Sequence, residues 1–197
     1  LLERVSDHVF SNNDHSPRQR FWTIRAKHII LGTGSLERHI AFNNNDVPGM
    51  MTANAAKHYL NRYGVLSGQE IVISTNNDSV YATANELAKA GSNVHIIDAR
   101  NTISQDIVES AKRSGIEVSL GTTPFNINGR KKIDSLDVAE HDGQKYNKVN
   151  QIKCDLVLVS GGWSPAVHLL SHRGARPIWD PVNLCFLPNE IQEPITV

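Results

Sequence analysis

Between residues 70 and 120 the chain alternates short apolar runs with longer amphipathic stretches, "EIVIS", "DSVYATANELAKAG", "NVHIID", "TISQDIVESAKRSG" and "IEVSLG", and this order narrows the folds open to it. The short runs are rich in Ile and Val, as buried strands are. In the longer stretches Val80, Ala84, Leu87 and Ala88 fall on one helical face, and Ile103, Ile107, Val108 and Ala111 do the same. Gly91 and Gly115 supply the stops, because glycine enters the left-handed conformation in which helices commonly end. Strand-helix-strand-helix-strand with short links predicts a parallel sheet with right-handed crossovers, so the fold class is α/β and Rossmann-like.

The flanks change character. "LLERVSDHVF", "QRFWTIRA" and "KHIILGTG" read as three strands, a small antiparallel meander feeding a buried strand. After the Asn-rich "FNNNDVPG" comes a helical stretch, "MTANAAKHYLNRYG", with Thr52 capping its start and Gly64 its end. Residues 125–154 alternate apolar and polar side chains around an Asp142-Gly143 pair, the short signal for a tight hairpin, and read as a second antiparallel meander. The continuous run "DLVLVSGG" then reads as a strand covered on both faces.

Charge and cysteine usage exclude several classes of function. Lys+Arg and Asp+Glu both number 20, and the basic residues are scattered, so the basic patch expected of a nucleic-acid binder is missing. The apolar runs are too short to span a bilayer, and the first residues carry no basic segment ahead of an apolar one, which predicts a cytoplasmic protein. Cys154 and Cys185 stand apart, so neither a redox dithiol nor a thiolate metal site is expected. No Ser-His-Asp order, paired-carboxylate pattern or P-loop is present, and no residue is assigned a catalytic role.

The turn "STNNDSVYA", residues 74–82, stands where a dinucleotide-binding fold carries its glycine-rich phosphate cradle. It contains no glycine. Asp78 puts a negative charge at the helix N-terminus that otherwise favours phosphate; it is expected to cap the helix and repel a phosphate there. The side chains of Asn76 and Asn77 obstruct the close backbone approach that glycine permits. Asp98, at the end of the second strand, lies about 20 residues on, the offset of the acidic residue that binds adenosine ribose. Together Asn76, Asn77 and Asp98 outline a vestigial or strongly modified nucleotide site.

A strand ending in T-G, a Rossmann unit, a meander and a strand ending in G-G-x-x-P follow the order of flavoproteins in which one dinucleotide-binding domain is inserted into another. The segments "YLNRYGV", "TNNDSVY" and "SGGWSPAVHL", set in an overall likeness covering most of the chain, narrow this further. The sequence resembles the α-subunit family of heterotetrameric sarcosine oxidases. It departs from that family's pattern in having His39 and Val47 where Pro and Arg are favoured. It also shows no N-terminal G-x-G-x-x-G, no later G-D segment and no folate-associated domain, and is expected to be an internal fragment or truncated relative.

The resemblance implies three parts: residues 1–45 from an outer FAD-type domain, 46–150 an inserted NAD-type domain with its meander, and 151–197 a return segment. It implies a complex that oxidatively demethylates sarcosine, or a related secondary amine, on flavin-carrying partner subunits. FMN or FAD, NAD and tetrahydrofolate are the implied cofactors of the parent complex, with NAD or FAD bound weakly or not at all by this chain alone. It favours Gly32, Thr33, Gly34, Gly161 and Gly162 as nucleotide contacts; from the residues alone these glycines equally let the chain leave the sheet. His168 and His172, one turn apart, lack a third ligand and are read as helix-surface residues, and "GRKK" as a solvated hairpin tip. Trp163 is read at a boundary or in the core, and Tyr59 and Tyr63 on the inter-domain seam. The alternative functions are a segment of a generic FAD-dependent NAD(P)H oxidoreductase and a non-catalytic interaction module.

Overall fold

The computed structural model describes residues 2–4, 19–141, 146–189 and 194–196. Leu2–Arg4 (β1) pairs antiparallel with Gln19–Phe21 (β2), and the two-residue Ile29–Ile30 (β3) and Ser35–Glu37 (β4) follow. Met50–Thr52 (β5) runs directly into helix α1, Ala53–Tyr63. The alternating unit follows as β6 (Glu70–Thr75), α2 (Ser79–Lys89), β7 (Asn93–Asp98), α3 (Gln105–Arg113) and β8 (Glu117–Leu120). Three long strands, β9 (Thr122–Gly129), β10 (Ile133–His141) and β11 (Tyr146–Lys153), form the meander and lead into β12, Leu156–Ser160. The chain closes with β13 (Trp163–Pro165), α4 (His168–Ser171), β14 (Ile178–Asp180), β15 (Cys185–Leu187) and β16 (Ile195–Thr196).

The central sheet is parallel, in the order β5-β12-β6-β7-β8. Period-two alternation divides its side chains between two cores. Ile71, Ile73, Ile96, Leu156 and Leu158 face the helices and pack against Ala56, Val80, Ala84 and Leu87. Val72, Ile97, Val157 and Val159 point the other way, onto Ile127, Leu136 and Val138 of the meander. Both faces are therefore covered, which explains why these strands read as continuous apolar runs. The Asp142-Gly143 pair lies outside the described residues, while the strands flanking it are antiparallel with Ser135 opposite Lys153.

Helix α1 begins and ends as its sequence predicts. Thr52 Oγ1 accepts from the Ala55 N–H at 3.4 Å, and Gly64 adopts φ 65° with its N–H donating to the Leu60 carbonyl at 3.0 Å. Periodicity did not reveal β5, because three residues are too few to show alternation; it is defined by pairing with β12. The apolar run "DLVLVS", in the segment read as the return, lies inside the central sheet between β5 and β6.

One expectation is corrected. "HIILG" is not a buried strand: β3 covers only Ile29 and Ile30, which are 45% and 78% exposed. Among the described residues its one strand neighbour is β16, in a two-stranded parallel pair, so its hydrophobicity does not yield burial here. No helix among the described residues is long and apolar enough to cross a membrane.

Two connecting segments run side by side near the ends of β6 and β12. β4 and β13 pair antiparallel, with Glu37 opposite Trp163 and Ser35 opposite Pro165. This ribbon brings the first and last thirds of the chain to the turn that follows β6.

Candidate nucleotide site

The turn after β6 is organised by Asn77. Its amide donates to the Ser160 carbonyl at 3.0 Å and to Asn76 Oδ1 at 3.2 Å, while its Oδ1 accepts from the Ser79 N–H at 3.1 Å and the Ser79 hydroxyl at 2.6 Å. Thr75 closes the loop from below, its hydroxyl donating to the Asn77 carbonyl and accepting the Asn77 N–H, both at 3.1 Å. The polar side chains that replace glycine thus satisfy the start of α2 and fasten it to the neighbouring strand.

Asp78 does not cap the helix, contrary to expectation. It occupies the N-cap position in helical conformation, φ −81° and ψ −20°, and makes no side-chain cap hydrogen bond. Its carboxylate instead meets Arg100 Nη1 at 2.7 Å, and Asn77 supplies the cap. A nearby guanidinium offers a stronger charge-assisted partner than a main-chain N–H.

Asp98 ends β7 with no exposed surface. Its Oδ1 accepts from the Arg100 main-chain N–H and from Arg100 Nε, both at 3.0 Å; its Oδ2 accepts from Arg100 Nη2 at 2.7 Å and the Tyr81 hydroxyl at 2.9 Å. A carboxylate offers about four acceptor positions, and here four protein donors fill them. No acceptor is left for a ribose hydroxyl. Burial, and then the Asp98 charge, push the Tyr81 phenol well above its ordinary value, while hydrogen bonding to Asp98 holds Arg100 still more firmly charged.

Gly161 and Gly162 lie against the first connecting segment. A Cβ on Gly161 would stand 3.1 Å from the Arg38 carbonyl oxygen, and Gly162 has φ +93° with Arg38 Nη2 in the space a Cβ would occupy. Main-chain hydrogen bonds from Gly161 N–H to Arg38 O and from Arg38 N–H to Gly162 O lock the two segments together. Gly32 and Gly34 are open, with no atom within 4 Å of a built Cβ, and the Thr33 hydroxyl donates to the Ala166 carbonyl at 2.9 Å. The structure therefore groups Asn76, Asn77, Gly161 and Gly162 at adjoining strand ends, with Thr33 on the ribbon and Asp98 one strand further along.

A cleft of about 540 Å³ opens there, lined by Asn76, Asn77, Gly162 and Trp163 on one side and by Leu184 and Cys185 of the β14–β15 hairpin on the other. Arg38 holds that hairpin turn, donating to the Leu184 carbonyl at 2.6 Å and the Asn183 carbonyl at 3.3 Å. Trp163 Nε1 donates to the Ser79 hydroxyl at 2.9 Å. The arrangement positions and fastens; it pairs no nucleophile with a base.

Sequence reasoning missed Arg100, Tyr81 and Arg38. Arg100 is two residues past a strand-end Asp and could have been found as a partner of Asp98, whereas Tyr81 lies in the first turn of α2, the helix before β7, 17 residues upstream of Asp98. Arg38 meets residues more than 120 positions away, and no local signal marks it. His168 and His172 are exposed on and beside α4, as expected, and no group of three metal-ligating side chains occurs among the described residues.

The parallel sheet with its crossover helices defines a Rossmann-type domain of the FAD/NAD(P)-binding oxidoreductase class. It superposes on T. acidophilum thioredoxin reductase with TM-score 0.65 at 18% identity, covering 81% of this chain and 52% of that one. Histamine dehydrogenase from Rhizobium sp. 4-9 aligns with TM-score 0.56 and 18% identity over 75% of this chain and 25% of its own. Residues 6–177 match the pyridine nucleotide-disulphide oxidoreductase family, and the chain belongs to it.

The resemblance to sarcosine oxidase α subunits holds. Sarcosine oxidase subunit alpha of Corynebacterium sp. (strain U-96) is 40% identical over 174 residues, 87% of this chain, and that of Rhizobium meliloti (strain 1021) is 38% identical over 187 residues, 94% of this chain. The chain spans 18% of the length of each of these curated relatives.

Proposed function

We propose that this chain is the nucleotide-domain portion of a sarcosine oxidase α-type protein, and that it acts as a scaffold rather than as a nicotinamide site. The complex it serves oxidatively demethylates sarcosine or a related secondary amine, with flavin on partner subunits and with NAD and tetrahydrofolate. The observation that carries the scaffold reading is the saturation of Asp98: four internal donors occupy the carboxylate that a dinucleotide would use for its ribose. Asp78 adds a negative charge and Asn77 a side chain where a pyrophosphate would approach the start of α2. A ribose hydroxyl bonding to Asp98 would have to displace Arg100 or Tyr81. Identity to the α subunits over most of the chain supports the assignment of the parent complex.

The full-length reading frame, co-expressed with its partner subunits, tests this. Anaerobic addition of sarcosine is expected to bleach the flavin absorbance rapidly, and NADH to leave it unchanged. Bleaching by NADH alone would establish instead an NAD(P)H-dependent flavin reductase, the reading that the family match supports.

A further inference from the structure

A second cavity, of about 520 Å³, opens towards the starts of the parallel strands, away from the turn after β6. Glu70 and Val72 of β6, His95 of β7, Glu117 of β8 and Lys153 of β11 are among its lining residues. In the register of β7 and β8, His95 stands beside Glu117 and Ile97 beside Ser119. Period-two alternation puts these four side chains on one face of the sheet, the face that Ile97 turns to the meander. The chain order His95, Glu117, Ser119 matches no hydrolase motif; the pairing of the two strands is what brings the three together.

Ser119 Oγ and His95 Nε2 lie 2.8 Å apart, and His95 Nδ1 lies 3.6 Å from Glu117 Oε2. A hydroxyl within hydrogen-bond reach of an imidazole whose other nitrogen faces a carboxylate is the arrangement that activates a nucleophile. With its proton on Nδ1, facing Glu117, the ring presents Nε2 as an acceptor to the Ser119 hydroxyl. Burial holds the imidazole below its ordinary value, so it is neutral at pH 7 and able to take a proton. The His95 side chain is 17% exposed and Ser119 is half-buried, so the pair is shielded but within reach of a small reagent. Glu117 is 74% exposed and holds the ring loosely, at a distance longer than a hydrogen bond. Among the described residues Lys153 is the one Lys or Arg on the cavity wall, and its charge favours a developing oxyanion.

We propose that Ser119 is a nucleophile towards activated carboxylic esters, with His95 as its general base and Glu117 as a positioning residue that orients the imidazole. Ser119 Oγ bonds to the ester carbonyl carbon while its proton passes to His95 Nε2. The bond from that carbon to the leaving aryl oxide breaks, the oxide departs with the electron pair, and the proton follows it from His95. An acyl-Ser119 remains. Water then attacks the acyl carbon, giving a proton to His95, and the acid is released as Ser119 regains its proton. The proposal does not rest on the nucleotide reading, since none of these residues lines the cleft at the turn after β6.

The test is p-nitrophenyl acetate added to the full-length protein, co-expressed with its partner subunits. A stoichiometric burst of p-nitrophenolate is expected, with an acetyl group on the peptide that carries Ser119 after acid quenching. Ser119→Ala is expected to abolish that acetylation, and His95→Gln, which removes the base, to slow it about 100-fold. Glu117 is exposed, so Glu117→Gln leaves the fold intact; it is expected to slow acylation several-fold. Because Glu117 opposes the effect of burial on His95, the same variant is expected to lower the pH at which acylation is half-maximal. Glu70 and Lys153, the other charged groups on that wall among the described residues, are unchanged in it. A Ser119 peptide without acetyl, or acetylation only at other residues, would overturn the proposal. So would an unchanged rate in His95→Gln with its circular dichroism intact, and an unchanged pH midpoint in Glu117→Gln would overturn the role of Glu117.

Discussion

Arg100→Ala tests whether the pair it forms with Asp98 is a buried structural lock or a surface ion pair. The substitution removes both guanidinium bonds to Asp98 and the contact with Asp78, leaving Asp98 only the Tyr81 hydroxyl and a main-chain N–H. Breaking a buried ion pair from one side costs about 3 to 5 kcal/mol. Arg100 is 31% exposed, so water can partly replace it, and the low end, about 3 kcal/mol, applies. Asp78, at 59% exposure, adds at most about 1 kcal/mol. With a urea slope of about 2 kcal/mol/M, the unfolding midpoint falls by about 1.5 M. Asp98→Ala is expected to cost a similar amount, since it leaves the Tyr81 hydroxyl buried without its acceptor. The double variant is expected to lose about 2 kcal/mol less than the sum, because neither group is then left unpaired. A loss under about 1 kcal/mol for Arg100→Ala, or strict additivity in the cycle, would refute the lock.

Gly162→Ala is expected to destabilise by about 1 to 3 kcal/mol in thermal denaturation, because φ +93° is strained for alanine and its Cβ displaces the Arg38 guanidinium; an unchanged Tm would mean the ribbon yields freely. Burial, then the neighbouring Asp155 charge, push the Cys154 thiol up to about 12, so a thiol-disulfide reagent is expected to label it only on unfolding; rapid labelling of the native protein would contradict its burial. Burial holds the His95 imidazole below its ordinary 6.5, with Glu117 opposing. The unfolded chain therefore takes up a proton as pH falls through 6.5 while the folded chain does not, and stability drops until the folded value is reached. In urea titrations at graded pH, His95→Gln is expected to flatten that drop; the same slope in the variant would assign it to other groups. Ile30 and Phe21, 78% and 80% exposed beside strand edges, predict concentration-dependent self-association of the chain in light scattering, and a concentration-independent monomer would refute that.

Residues 70–120 carried their fold on their surface, since Ile71, Ile73 and Leu87 are spaced for the faces they bury, and Gly91 and Gly115 mark where helices stop. Thr52 and Gly64 likewise bounded α1 through bonds to residues within one turn. These features are local, and local chemistry is what a sequence displays. Asn77 and Asp98 were legible as occupants of a phosphate turn and a strand end, but their partners were not. The sequence by itself thus determined the α/β layers, the missing glycines and the position of each acidic residue at the turn. Only the tertiary structure decided that Asp78 faces Arg100 instead of capping α2, that Asp98 is saturated, and that Ile29 and Ile30 stay exposed. Each of those outcomes depends on which groups distant segments bring within about 3 Å, a competition between donors that spacing along the chain does not encode.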